Sequence, residues 1–183
     1  MRTTGLLLAA GAGSRMGRPK ALVEGWLLRA VGSLADCDDV VVVLGAAANE
    51  ARALLEGEEV TIVVARDWAD GMGASLAAGI GALPHRTLRC LVTLVDLPDV
   101  GRDVVRRLLE QPVAADVLAR AAYDGRPGHP VLLGREHWPG VTATAVGDRG
   151  ARDYLRQHPP TLVECGDLAS GRDVDEAGPA TPS

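Results

Sequence analysis

Short runs of apolar and often β-branched residues alternate along this chain with longer segments rich in alanine, leucine and arginine. Such alternation is typical of α/β folds, in which helices connect the strands of a mostly parallel sheet. The runs at residues 39–45 and 89–95 are almost entirely apolar, which predicts strands covered by helices on both faces. We therefore predict a doubly wound α/β fold with a mostly parallel sheet. The strands are expected over residues 5–10, 39–45, 60–65, 89–95, 116–122, 129–133 and 161–165, and the helices over residues 21–35, 47–56, 73–82, 101–110 and 149–157.

The size and composition fit one globular unit. The 183 residues are 47% hydrophobic, so we expect a single domain over residues 1–176, followed by a flexible tail over residues 177–183. The formal net charge of -5 argues against nucleic-acid binding and against binding to anionic membranes. The three cysteines form no CxxC pair, which favours neither a disulfide framework nor a zinc site and fits a cytoplasmic protein.

The segment LLLAAGAGSRMGRPKAL at residues 6–22 turns from an apolar run into a loop with three glycines, two arginines and a lysine. Glycine permits backbone conformations that a Cβ blocks, and amides exposed where a helix begins bind phosphate oxygens. Arg15, Arg18 and Lys20 would supply the opposite charge. The spacing completes neither a GxGxxG dinucleotide motif nor the GK[ST] of a P-loop. The alternative is an ordinary glycine-rich turn with solvated arginines.

Asp96 follows the apolar run LVTLV, and Pro98 prevents the strand from continuing. Ligands of parallel sheets bind outside the carboxyl ends of the strands, so this carboxylate is expected at the ligand-binding edge. Mg²⁺ takes oxygen ligands and commonly bridges one or two carboxylates to substrate phosphates. The alternative role, capping a helix that begins near Gly101, is better served by Asp99 or Asp103.

Two further glycine-containing segments each have a structural and a functional interpretation. The segment GMGASLAAG at residues 71–79 opens a helix, and Ser75 in it is either a first-turn residue or a ligand contact. The segment GDRGAR at residues 147–152 is either a helix capped by Asp148 or a ligand-binding loop.

The segment YDGRPGHP at residues 123–130 predicts a hairpin, because Asp124-Gly125 is a strong turn dipeptide between apolar runs. A turn alone does not account for Arg126 and His129 beside it. We expect His129 to position a ligand rather than to transfer protons, because phosphoryl-type transfer depends mainly on placement and charge neutralisation.

Five segments of the chain together resemble one enzyme family. LAAGAGSRMGRPK resembles the signature loop LxAGxxxRMGxxK of nucleotidyltransferases with the Rossmann-like, nucleotide-diphospho-sugar-transferase-like fold, and most of all that of the molybdenum cofactor cytidylyltransferases and the related guanylyltransferases. Four more segments are similar to family segments in the same order: GMGASLAAG to GMSxSLxxG, TLVDLP to LGDMP, GRPGHP to GxxGHP, and GDRGAR to GDxGAR. The chain departs from the family at Gly73-Ala74, where many cytidylyltransferases have serines, and after Asp175, where DVDEAGP replaces a DVDTPEDL-like stretch.

This resemblance implies a role for each matching residue. It implies Arg15, Lys20 and Asp96 as catalytic residues, and Asp96 with Asp175 as the Mg²⁺ site. Nucleotide binding is implied for Leu8, Ala9, Ala10, Gly11, Ala12, Gly13, Ser14, Arg15, Lys20, Arg66, Gly71, Ser75 and Asp96. Acceptor binding is implied for Gly128, His129, Asp148 and Arg149.

The implied activity is Mg²⁺-dependent transfer of a nucleoside monophosphate from a nucleoside triphosphate, expected to be CTP, to the phosphate of molybdenum-bearing molybdopterin, with release of pyrophosphate. The resemblance also implies transient contact with a molybdoenzyme or its chaperone. One alternative is GTP-dependent transfer to molybdopterin or another small phosphorylated acceptor, and a second is a non-catalytic cofactor-binding homologue. A third is a dinucleotide-binding oxidoreductase, which needs a ribose-binding acid about 20 residues past its glycine loop. Asp36, Asp38 and Asp39 stand near that position, but the glycine spacing does not fit.

Overall fold

Seven strands form one sheet in the computed structural model, which describes residues 2–174. The strands are β1 (Arg2–Ala9), β2 (Asp39–Leu44), β3 (Thr61–Val64), β4 (Thr87–Leu94), β5 (Leu118–Tyr123), β6 (Arg126–Gly134) and β7 (Thr161–Glu164). Their order is β3-β2-β1-β4-β6-β5-β7, and β6 alone among these strands runs antiparallel to its neighbours. Each strand overlaps a predicted one, and the predicted mostly parallel α/β fold is confirmed.

Within residues 2–174, six α-helices connect or flank the strands. They are α1 (Trp26–Ser33), α2 (Ala48–Leu54), α3 (Met72–Gly81), α4 (Arg102–Leu109), α5 (Trp138–Thr144) and α6 (Arg152–Gln157). The helix predicted from residue 21 begins only at Trp26, because Gly25 before it has a left-handed φ of 75°. Similarly, α6 begins three residues later than predicted, after Gly150 with a φ of 50°. The sequence did not predict α5, whose segment WPGVTAT contains proline, glycine and β-branched residues that form helices poorly.

Side chains along the central strands alternate between two buried clusters, one on each face of the sheet. Leu7 and Leu91 belong to the first cluster, and Leu6 and Cys90 belong to the second; all four are fully buried. Helices α1, α2 and α4 pack on the first cluster, and α3, α5 and α6 pack on the second. Burial on both faces explains why the central strands are apolar throughout.

Two features of the topology place the candidate site. Leu8 in β1 pairs with Leu94 in β4, so the loops after these two strands leave the sheet side by side. The hairpin of β5 and β6 turns at Asp124-Gly125, where φ is 52° and 75°, as predicted for this dipeptide. Within residues 2–174, none of the helices is long and apolar enough to span a membrane. The tail predicted at residues 177–183 and Asp175 lie outside the described residues.

Candidate active site

A cavity of about 430 Å³ lies at the carboxyl ends of β1 and β4, and we call it the loop cavity. Its lining includes the residues predicted for nucleotide binding, with one exception: Leu8, Ala9, Ala10, Gly11, Ala12, Gly13, Ser14, Arg15, Lys20, Gly71, Ser75 and Asp96. The exception is Arg66, which is exposed after β3 and does not line this cavity. Trp68, Ala69 and Met72 also line it, from the start of α3 and the turn before it. Apart from Arg66, the predicted nucleotide residues, which come from three segments of the chain, therefore lie around one space.

The loop after β1 has a backbone conformation that requires glycine. Gly13 has a φ of 61°, and a Cβ there would collide with the carbonyl oxygen of Arg18. Amides of residues 11 to 14 donate to no backbone carbonyl in the part of the chain that the structure describes. These exposed N–H groups line the loop cavity, where they can donate to phosphate oxygens.

Lys20 and Asp96 form an ion pair at the floor of the loop cavity. The Lys20 Nζ atom lies 2.6 Å from the Asp96 Oδ2 atom, and the two side chains are 17% and 14% exposed. The pair joins the loop after β1 to the loop after β4, residues that are 76 positions apart in the sequence. A cation, which can bind phosphate, and an anion, which can bind a metal ion, are thus both held at the end of the sheet.

Asp96 also fits a role as a metal ligand. Its second carboxylate oxygen, Oδ1, is buried and has no hydrogen-bond partner among residues 2–174. A buried carboxylate oxygen without a donor is costly, and a divalent cation would compensate it. The same residues contain no group of three or more His, Cys, Asp or Glu side chains placed to hold a metal. Among the described residues, Asp96 is therefore the candidate ligand, and Mg²⁺ commonly combines one or two carboxylates with substrate phosphates.

The second predicted ligand, Asp175, lies outside the described residues, but the chain before it reaches the site. The amide of Val174 donates to the carbonyl of Asp96 over 3.1 Å. Ser170 is bound through its amide and its hydroxyl to the Asp99 carboxylate, both at 2.6 Å. These contacts fix the segment that precedes Asp175 against the loop after β4.

A second cavity of about 340 Å³, which we call the hairpin cavity, lies between the β5–β6 hairpin and helices α3 and α6. It is lined by all four residues predicted for acceptor binding, Gly128, His129, Asp148 and Arg149. The two cavities share the lining residues Leu8, Met72, Leu94 and Asp148. Ligands in the two spaces would therefore be in contact or close to it.

His129 lies in β6 with its side chain toward the hairpin cavity. Burial, together with the positive charge of Arg120, lowers the pKa of His129 to about 4. The imidazole is therefore neutral at pH 7, as expected for a positioning group rather than for a proton donor. The Tyr123 hydroxyl donates to the His129 carbonyl over 2.6 Å and helps to fix this part of the strand.

Asp148 does not cap a helix, which was one of the two interpretations of its segment. Residues Gly147–Arg149 form a separate 3-10 turn, and α6 begins after Ala151 without a side-chain cap. Instead, Asp148 lies against Gly71, where a Cβ would come within 2.7 Å of its Oδ1 atom. Gly71, with a φ of 107°, thus allows the turns before α3 and α6 to meet where the cavities join.

Ser75 likewise does not cap its helix. Helix α3 begins after Gly71 without a side-chain cap, and Ser75 is 4% exposed against the loop cavity.

Two arginines that line the hairpin cavity, Arg120 and Arg152, were not among the site residues predicted from the sequence. Arg120 stands between Ala119 and Ala121 in the strand segment LARAAY. A charged residue at an inward position of an apolar strand is unusual, and this was the available signal. Arg152 is the first residue of α6, within a segment already matched to the family.

The acids that would serve a dinucleotide-binding fold lie at the opposite end of the sheet. Asp38 accepts from the amide of Thr3, and Asp39 begins β2 and pairs with Arg86 at 2.7 Å. Asp36 is paired with Arg102 at 2.6 Å. These carboxylates lie at or just before the start of β2, whereas the two cavities lie at the carboxyl ends of the strands.

Comparison with known proteins agrees with this geometry. The family model of the MobA-like NTP transferase domain matches residues 5–162. The chain belongs to this family of nucleotidyltransferases. The resemblance of the five sequence segments is thereby confirmed, and a nucleotide is the substrate that the family implies.

One relative is 41% identical over 187 residues, which are 94% of this chain and 91% of the relative. It is the nicotine blue oxidoreductase of Paenarthrobacter nicotinovorans. The chain is therefore similar over nearly its full length to a protein named for a reaction other than nucleotidyl transfer.

Solved structures show the same fold. Rv0371c from Mycobacterium tuberculosis H37Rv is 28% identical, with a TM-score of 0.77 over 96% of this chain and 93% of that one. A complex of Rv0371c with manganese matches at 26% identity and a TM-score of 0.67, over 90% of this chain and 88% of that one. A nucleotidyl transferase from Methanothermobacter thermautotroptrophicus, 20% identical with a TM-score of 0.80 over 96% and 92% of the two chains, supports the fold alone.

Proposed function

We propose that this chain transfers CMP from CTP to the phosphate of molybdenum-bearing molybdopterin and releases pyrophosphate. The observation that carries the proposal is the pair of adjoining cavities with shared walls. The loop cavity is lined by backbone amides and by the Lys20–Asp96 pair, which suit a triphosphate. The hairpin cavity is lined by arginines, which suit a phosphorylated acceptor. GTP is the nearest competing donor, because Gly73-Ala74 departs from the cytidylyltransferase pattern.

The proposed reaction needs no covalent enzyme intermediate. A phosphate oxygen of the acceptor attacks the α-phosphorus of the triphosphate; the bond from this phosphorus to the bridging oxygen breaks, and pyrophosphate leaves in line. The amides of residues 11 to 14 hold the phosphates, and Arg15 and Lys20 neutralise the charge that develops on the leaving group. Substrates bound on either side of the shared wall at Asp148 would lie beside each other.

Asp96 would hold Mg²⁺ through its Oδ1 atom, with Asp175 as the proposed second ligand. When bound, the cation would neutralise phosphate charge and orient the triphosphate. The manganese complex of Rv0371c supports a divalent cation in this family. We propose Mg²⁺ because the ligand set is oxygen only and small.

The test is a turnover assay with the purified chain, Mg²⁺ and molybdenum-bearing molybdopterin, supplied with CTP or GTP separately. We expect pyrophosphate release that depends on the acceptor and is faster with CTP. Calorimetric titrations with CTP, GTP and NAD in Mg²⁺ accompany the assay. Nucleotide binding without turnover would favour the non-catalytic alternative, and binding of NAD alone would contradict the proposal.

A second candidate is an oxidoreductase, and the observation that favours it is the 41% identity to nicotine blue oxidoreductase. A dinucleotide-binding fold would need a ribose-binding acid near the cavities. The candidates Asp36, Asp38 and Asp39 lie instead at the opposite end of the sheet. The distinguishing assay mixes the chain with NADH and nicotine blue and follows the absorbance of both. Enzyme-dependent loss of NADH absorbance, without pyrophosphate release in the transferase assay, would replace the first candidate with the second.

A further inference from the structure

The hairpin cavity has an apolar body and a cationic end. Its apolar walls include Leu76, Val92, Leu133 and Leu155, all of them buried. Its cationic end is formed by arginines on two different elements, Arg120 in β5 and Arg152 in α6. Ala119 and Ala121, on either side of Arg120, pack into the core on the opposite face of the sheet, so strand alternation directs Arg120 to the cavity face.

The charges of these two arginines are not compensated by the surrounding protein. The Arg120 Nε atom donates to the Gly128 carbonyl over 2.6 Å, and its terminal nitrogens have no hydrogen bond among residues 2–174. Asp148 and Asp173 line the same cavity, yet in the described chain neither Arg120 nor Arg152 forms an ion pair with a carboxylate. By contrast, Arg149 on the same wall is paired with Asp153 at 2.9 Å.

The two guanidinium groups also repel each other. Burial, followed by the positive charge of Arg152, lowers the pKa of Arg120. A half-buried cation next to a second cation is unfavourable unless an anion binds between them. Guanidinium groups are well suited to this role, because their planar donors match phosphate oxygens in pairs.

We infer that Arg120 and Arg152 form an anion subsite of the hairpin cavity, which holds the phosphoryl group of a ring-bearing acceptor. The apolar walls would contact the ring, and the two arginines would distinguish a phosphorylated acceptor from its unphosphorylated form. The inference rests on the proposed function in treating this cavity as the acceptor site, and it adds the residues that select the acceptor's charge.

The test measures binding of phenyl phosphate by calorimetry, with phenol and inorganic phosphate as partial probes. Wild-type protein is expected to bind phenyl phosphate more tightly than either partial probe. Arg120→Gln and Arg152→Gln are each expected to weaken phenyl phosphate binding about tenfold, the effect of removing one charged hydrogen-bonding partner. Arg156→Gln is the matched control, because Arg156 lies on the same helix, pairs with Asp153 and lines neither cavity.

Each outcome decides the inference. Equal phenyl phosphate affinity in the wild type, Arg120→Gln and Arg152→Gln would overturn it, and so would a loss of affinity in Arg156→Gln as large as in these two variants. If Arg120→Gln does not fold, as judged by circular dichroism, Arg152→Gln at the cavity surface still provides the test. CTP affinity is measured on the same proteins. If the wild type does not bind CTP but needs both arginines to bind phenyl phosphate, the proposed function is refuted while the anion subsite is supported.

Discussion

The two cavities of this site are built by different means. About half of the residues that line the loop cavity belong to one glycine-rich loop, and the cavity also contains the ion pair between Lys20 of that loop and Asp96 after β4. The hairpin cavity is lined by side chains that come from β5, β6, α3 and α6. A triphosphate is the same in every nucleotide, so backbone amides can hold it, whereas acceptors are distinguished by the shape and charge of side chains. Changes in the loop cavity should therefore affect turnover with every acceptor, and changes in the hairpin cavity should affect which acceptor is used.

The largest effect is expected from Asp96→Ala in the loop cavity. This change removes a partner of Lys20 and a proposed metal ligand, so pyrophosphate release should fall at least about 100-fold with any acceptor. Far-ultraviolet circular dichroism should stay unchanged. Asp103→Ala is the control, because that carboxylate is 74% exposed on α4, away from both cavities. Turnover like that of the wild type in Asp96→Ala would contradict the assigned role.

The next largest effect is the contribution of His129, in the hairpin cavity, to the pH dependence of the free energy of unfolding. The folded pKa of His129 is about 4, below its ordinary value of 6.5, so the unfolded chain takes up the proton first as the pH falls. His129 therefore contributes stability fully above pH 6.5 and loses that contribution between pH 6.5 and 4. We expect a loss of about 2 kcal/mol, less than the full pKa difference implies because the ring faces a cavity that water can enter.

Urea unfolding of the wild type and of His129→Gln across this pH range measures that loss. The free energy of unfolding of His129→Gln should lack this part of the pH dependence. His85→Gln is the control, because His85 is exposed and far from the hairpin cavity. The same pH dependence in wild type and His129→Gln would show that the imidazole is not desolvated there.

A smaller effect is expected from Gly13→Ala, which tests whether the backbone of the loop cavity does the binding. The methyl group would meet the Arg18 carbonyl, and the left-handed φ disfavours alanine, so the loop must shift at a cost of about 1–2 kcal/mol. The Kd for CTP should rise about tenfold, with equal effects for all acceptors. Gly32→Ala in α1 is the control, since a Cβ there meets no atom within 4 Å. Unchanged CTP affinity in Gly13→Ala would mean that side chains, not amides, hold the phosphates.

The same contrast explains how much of the site could be predicted from the sequence. A contiguous string from Leu8 to Lys20 supplies about half of the residues that line the loop cavity, and its resemblance to the family's signature loop implied that role. Asp96 was predictable too, because a carboxylate that directly follows an apolar strand must emerge at the end of the sheet. Arg66, by contrast, was implied by the family resemblance alone, and it is exposed after β3 and does not line the loop cavity.

The hairpin cavity was only partly predictable. Gly128 and His129 belong to a recognisable segment, but Arg120 reaches them only because β5 pairs with β6. Such pairing is a tertiary property that spacing along the chain does not reveal. The helix α5 was missed for a related reason: its Val141 is fully buried, and packing rather than intrinsic propensity makes the segment helical.

The smallest effect is expected from Glu164→Gln, which loosens the hairpin without touching either cavity. The Glu164 carboxylate at the end of β7 accepts from the amides of Asp124 and Gly125 at 2.9 and 3.0 Å, and from the amide of Gly166 at 2.8 Å. These amides, led by that of Gly125, lower the pKa of Glu164 below its ordinary value of 4.5. The ionised carboxylate therefore stabilises the Asp124-Gly125 turn at neutral pH, and this stabilisation is lost as the pH falls through the lowered pKa of Glu164.

A neutral amide at this position binds the three backbone donors more weakly, so the hairpin that carries His129 becomes less well fixed. We expect the KM for the acceptor to rise about two- to threefold, with the KM for CTP and kcat unchanged, because one exposed carboxylate contributes little. Steady-state kinetics with each substrate varied in turn provide the measurement, and Glu58→Gln, exposed and distant from the hairpin, is the control. An equal rise in the KM for the acceptor and the KM for CTP would show that a change at the hairpin affects both cavities, so that the two are not independent.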